Sequence, residues 1–155
     1  MRYILPYTLL ILWAALIFFL SSEGSDSSSG RSDAIVEVIR TVGASWPQDL
    51  LTFLTRKAAH IFAYFVLGVL AFNALRQHGL PLRRVALLSI GFVAAYAISD
   101  EIHQLFVPGR SGEVRDVLID SIAGTVGVAA CYGVVKWVSG RGTPASPGKK
   151  HENKV

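Results

Sequence analysis

The chain is poor in charge. Asp, Glu, Lys and Arg make up 17% of its 155 residues, and 52% are hydrophobic. Roughly a quarter of residues are charged in soluble domains, so an ordinary soluble enzyme fold is excluded. Cysteine is nearly absent. Cys131 stands alone inside an apolar run, which rules out an intrachain disulfide and leaves the redox compartment unreadable; it reads as a small packing residue. No A-x-A-like cleavage site follows the first apolar run, so that run reads as an uncleaved helix rather than a signal peptide. Two histidines and three or four carboxylates offer N/O ligands that make a metal site conceivable, but no helix carries an H-x-x-x-H or H-E-x-x-H pair, so that signal is weak and neither a metal nor a cofactor is the expectation. Ser99 and Ser111 have no sequence-evident base. The formal charge of +4 does not indicate nucleic-acid binding, because its placement follows a different logic.

What is present is four long apolar runs, at about 4–20, 58–75, 85–105 and 117–138. The first, at ~1.5 Å per residue, covers ~25 Å, near the lower limit for a span. The expected fold is an all-α membrane protein with four transmembrane helices over residues 1–139. A basic tail, 140–155, is expected to be disordered and drawn to anionic lipid. Arg2, the short loop with Arg76, Arg83 and Arg84, and the tail from Lys136 onward hold nine basic residues and one acid. The opposite side holds six basic residues and ten acids. The positive-inside rule then puts both termini in the cytoplasm and residues 21–57 and 106–116 outside. Within the outer segment, 21–31 is Ser/Gly-rich and reads as an irregular loop. Asp33–Arg40 and Trp46–Thr55 read as short interfacial helices covering the bundle, with Asp33 as a candidate cap.

The polar residues of these runs share faces. Lys57, His60, Tyr64, Gly68 and Ala71 recur every three or four positions. Tyr96, Asp100, His103 and Gln104 do the same on the third run, with Glu101 alongside. On the fourth, Asp116, Asp120, Ala123 or Gly124, Gly127 and Cys131 form a face whose small residues favour close helix approach. All three polar faces fall at the outer end, with Arg110 and Arg115 just above. Ionisable groups at a helix exit are costly, which marks the cluster as a functional site.

Glu101-x-x-Gln104-x-Phe106 followed by Pro108-Gly109-Arg110, Asp116-Val117-Leu118-Ile119-Asp120, Arg56-Lys57-x-x-His60-x-x-x-Tyr64-x-x-Leu67-Gly68 and Phe19-Leu20-Ser21-Ser22 occur in fixed order. In these four elements the chain resembles the VanZ-like family of small bacterial membrane proteins, over roughly residues 16–130. It departs from the family at Ala63, where many relatives carry a glutamate. The resemblance implies a multi-pass protein of the bacterial plasma membrane with a role in the cell envelope. The family is named for a member linked to teicoplanin resistance, so lowered susceptibility to teicoplanin-type glycopeptides is the implied phenotype. No reaction is implied. The resemblance shifts weight toward Glu101 and Gln104 and leaves Asp100 and His103, with Arg115, as supporting groups.

Two functional classes stay open. A binding protein would hold an anionic lipid-linked cell-wall intermediate or a glycopeptide through Lys57, Tyr64, Gln104 and Arg110, the guanidinium fork suiting a phosphate. A small membrane enzyme would do acid–base chemistry on a lipid-linked envelope substrate with His60, Glu101, Asp116 and Asp120. Arg56 reads as an interfacial anchor, and His60 has a structural alternative as interhelical polar glue. A proton-coupled transporter is disfavoured by four short helices without an inverted repeat.

Overall fold

A computed structural model describes residues 3–23, 33, 35–41 and 46–141. Its described residues form four long helices and no strand: α1 (Ile4–Ser21), α2 (Gln48–Arg76), α3 (Leu82–Gln104) and α4 (Val114–Arg141). Each is long and apolar enough to cross a membrane. A further short helix covers residues 35–41. Of the expected irregular loop over 21–31, Ser21 closes α1 instead and residues 24–31 lie outside the described residues; so do residues 142–155 of the expected tail over 140–155.

Proline sets two of the helix starts. Pro47 and Pro81 occupy the positions just before α2 and α3 with extended backbone, where their fixed φ and missing N–H carry no penalty. Pro81 accepts from the backbone N–H groups of Arg84 and Val85. Asp49 and Asp116 fall in the first turns of α2 and α4, where a carboxylate favours the helix dipole. The α3–α4 connection turns at Pro108-Gly109. Arg110 N–H donates to Val107 O across 3.1 Å, and Gly109 has φ +73°, a conformation open to glycine at little cost.

The helices extend past the apolar runs. Trp46–Thr55 is not a separate interfacial helix, because α2 is continuous from Gln48. Hydropathy reports the thickness of lipid, whereas a helix continues until a residue breaks it, and nothing between Pro47 and the α2 end does so. At ~1.5 Å per residue, α2 is about 43 Å long, more than the ~30 Å hydrocarbon core. Its first turns, carrying Asp49, Thr52, Arg56 and Lys57, therefore project beyond it. α4 likewise runs on to Arg141, whose guanidinium lies 3.6 Å from the centre of the Trp137 ring. The first two residues of the expected tail, Gly140 and Arg141, therefore belong to α4.

The helices alternate in direction, so α2 and α4 run parallel, and they form the most extensive contact in the bundle. Glycine makes this possible. A Cβ on Gly68 would collide with the Gly124 carbonyl oxygen, and one on Gly127 with the Phe65 carbonyl oxygen. Small residues at such positions let helix backbones approach. Tyr64, Leu67, Val93, Ala97 and Ala123 form the main core, and Phe72, Val85 and Val128 a second, with Cys131 against its edge. Large apolar side chains such as Ile11, Phe19, Leu87 and Ile122 point outward, as expected of helices solvated by lipid rather than water. α1 is the most peripheral helix. Polar bonds hold it: Trp13 Nε1 donates to Ala63 O (2.9 Å), and Tyr96 OH to Ala14 O (2.6 Å).

Candidate functional site

The polar residues gather where α1 and α3 end and α2 and α4 begin. Asp100 is central. On α3, Asp100 and Gln104 are one turn apart and face inward. Asp100 Oδ2 accepts from Ser21 Oγ on α1 (2.9 Å), Tyr64 OH on α2 (3.2 Å) and Gln104 Nε2 (3.3 Å). Gln104 Nε2 also donates to Ser21 Oγ. Asp100 is only 3% exposed, and its Oδ1 is buried without a hydrogen-bond partner.

α2 and α4 contribute a ladder. Lys57 Nζ pairs with Asp116 Oδ2 at 2.5 Å, and His60 Nδ1 lies 3.4 Å from Asp120 Oδ2. The offset between partners is 59 residues in the first pair and 60 in the second. A nearly constant offset is what two parallel helices produce, one pair per turn. Asp120 is 2% exposed, whereas the His60 side chain is 29% exposed.

Glu101 lies beside this group. Its Oε2 accepts the Glu113 backbone N–H (2.8 Å) and so ties the end of α3 to the approach to α4; Oε1 is buried without a partner. Arg110, held above the site by the Pro-Gly turn, donates from Nε to Glu23 O (3.2 Å). Arg115 is exposed, near Glu113 and Asp116.

Two cavities meet here. One, about 210 Å³, lies among Ile17, Leu20, Ile35, Ala59 and Ala63 and is largely apolar. The other, about 220 Å³, is bordered by Lys57, Gln104, Ser111, Glu113 and Asp116. Arg56, His60 and Arg110 border both. An apolar slot therefore adjoins a polar, cation-edged one.

The structure brings His60, Tyr64, Asp100, Gln104 and Asp120 into one layer, with Lys57, Asp116 and Glu101 next to it and Arg110 and Arg115 above. His103 is elsewhere: its Nε2 lies 3.0 Å from Ser22 Oγ and its ring stacks on Phe18, facing α1. Asp100, expected as a supporting group, is the acceptor on which three side chains converge. Ser21 is the residue that sequence reasoning left out. Its only pointer is its place in the Phe19-Leu20-Ser21-Ser22 exit, since its partner lies 79 positions away. Asp33, expected as a cap, accepts from Thr52 Oγ1 (2.8 Å) and so fastens the covering segment to α2. His60, Asp100 and Asp120 each offer a ligand atom within 4.8 Å of the others. That grouping draws on three helices, so a search for paired ligands along one helix does not find it.

Comparison with curated proteins and with solved structures gives no match. A family model described as VanZ/LLP1 matches residues 7–136. The matched stretch contains all four long helices almost entirely and every residue of the polar layer, in keeping with the motifs around His60, Glu101 and Asp116. The chain, a multi-pass membrane protein, belongs to the VanZ/LLP1 family.

Proposed function

We propose that this protein lies in a bacterial plasma membrane with both termini inside. In this reading its polar layer, at the outer interface, binds an anionic lipid-linked or cell-wall ligand and thereby lowers susceptibility to teicoplanin-type glycopeptides. The observation that carries the reading is the pairing of the two cavities. An apolar slot beside a cation-edged polar one suits an amphiphile with a long tail and an anionic head. Arg56, His60 and Arg110 stand where the two meet, and a guanidinium presents a planar fork to a phosphate. The basic residues concentrated on the Arg76–Arg84 loop and the C-terminal tail support the orientation.

A specific arrangement also favours acid–base chemistry on such a ligand. His60 borders both cavities and is backed by the buried Asp120, as a general base is oriented by a carboxylate. One experiment separates the readings. Arg110→Ala, Glu101→Gln and Asp116→Asn are introduced singly, membrane levels are checked, and teicoplanin and vancomycin susceptibility is measured in a strain lacking the gene. Loss with Arg110→Ala alone is the outcome expected of binding. Loss with the carboxylate variants, together with an altered lipid-linked or muropeptide species in the extract, is the outcome expected of an enzyme. Full protection from all three variants would sink the site.

A further inference from the structure

The geometry points to a divalent transition-metal ion, of the zinc type, bound among His60, Asp100 and Asp120 by one imidazole and two carboxylates from three different helices. The three ligand atoms lie within 4.8 Å of one another. The 3.4 Å between His60 Nδ1 and Asp120 Oδ2 is the edge of a tetrahedron whose centre lies about 2.1 Å from each corner, the distance at which zinc holds nitrogen and oxygen ligands.

Charge argues the same way. Asp100 and Asp120 are 3% and 2% exposed. Among the described residues neither pairs with a lysine or arginine. Asp100 is met by neutral donors, Ser21, Tyr64 and Gln104, and Asp120 by His60. Two carboxylates this close and this buried are strongly unfavourable unless compensated. A dication between them compensates both at once.

The buried, unpartnered Oδ1 of Asp100 is the second, independent observation. Three donors converge on Asp100 Oδ2 and none reaches the buried Oδ1. Hydrogen bonds that fix one carboxylate oxygen and leave the other open are how outer-shell groups orient a metal ligand. His60 supplies access, since it is partly exposed and borders both cavities. Three protein ligands leave a coordination position open there. Mixed imidazole and carboxylate donors suit zinc and its neighbours better than calcium or magnesium, which take oxygen ligands, or copper(I), which takes thiolate.

The inference is independent of which ligand the cavities hold. The test uses the full chain without a histidine tag, purified in detergent, stripped with chelator and titrated with Zn²⁺ by calorimetry, with bound metal counted by mass spectrometry. The expected result is one ion per chain, bound about tenfold or more weakly in Asp120→Asn and in His60→Gln, and with unchanged affinity in Asp49→Asn, an exposed carboxylate in the first turn of α2. A buried carboxylate variant risks misfolding, so Co²⁺ provides a second readout. The wild type should give the visible absorption of four-coordinate cobalt, and His60→Gln, changed at a partly exposed position, should lose it. A stripped wild type that takes up no ion, or uptake that His60→Gln leaves unchanged, overturns the site.

Discussion

Asp100 Oδ2 accepts from α1, from α2 and from one turn further along its own helix. Losing one donor therefore leaves two. Tyr64→Phe should cost about 0.6 kcal/mol, the average for an interhelical hydrogen bond in a membrane, and Ser21→Ala, which also loses the bond from Gln104, about 1.2 kcal/mol. Asp100→Ala should cost about 2 kcal/mol or more, because it strands three buried donors together. Thermal unfolding in detergent, followed by circular dichroism, measures the three; equal losses would show that Asp100 is not the hub. Helical spacing made part of this legible. Lys57, His60 and Tyr64 stand on one face, and Asp116 and Asp120 on another, because residues three and four apart must stack. The rank of Asp100 was not legible, because Ser21 and Tyr64 reach it from helices distant in sequence. Nor was the departure of His103 from the cluster. His103 and Gln104 are 100° apart around the helix, so when Gln104 turns inward to Asp100 and Ser21, His103 is carried away from Asp100 and meets Ser22 and Phe18 instead.

At the scale of the elements, the site depends on how closely α2 and α4 approach. The Lys57–Asp116 and His60–Asp120 pairs form because Gly68 and Gly124 let the backbones meet about one to three turns below. Gly68→Ala would push a methyl group into the Gly124 carbonyl oxygen, which cannot rotate away. Gly124→Ala meets chiefly Val93 Cγ1, a side chain with some freedom. Gly68→Ala should therefore cost about 1–3 kcal/mol, as overpacking does, and weaken any ligand or ion held between the helices; Gly124→Ala should cost less. Gly91 has open space around its would-be Cβ, so Gly91→Ala should be neutral or gain up to about 1 kcal/mol from helix propensity. Unfolding midpoints of the three variants in one detergent test the order, and a Gly68→Ala protein as stable as Gly91→Ala would refute the close-contact account. Four helices were legible because each apolar run is long. Their ends were less so: polar turns at Gln48–Lys57 read as a separate element only while lipid thickness is taken as the ruler. The glycine face of α4 was readable as small; that it meets Gly68 required the parallel register.

At the scale of the molecule, everything proposed for the ligand depends on which side of the membrane the site faces. The start of α1, the α2–α3 loop and the end of α4 share one end of the bundle, and the polar layer occupies the other. Arg76, Arg83 and Arg84 lie at the first end, whereas the acids Asp100, Glu101, Glu113 and Asp116 lie at the second. Basic loops are retained in the cytoplasm, so the polar layer should face outward. The single native cysteine makes the test simple. With Cys131 replaced by alanine, a cysteine is placed at Phe106, which is exposed beside the site, or at Leu80, which is exposed in the α2–α3 loop. A membrane-impermeant maleimide should label Phe106→Cys in intact cells and Leu80→Cys only after lysis. The reverse pattern would move the layer to the inner leaflet. An outer-leaflet cell-wall ligand would then be unreachable, while the metal site, which rests on side-chain geometry alone, would stand unchanged.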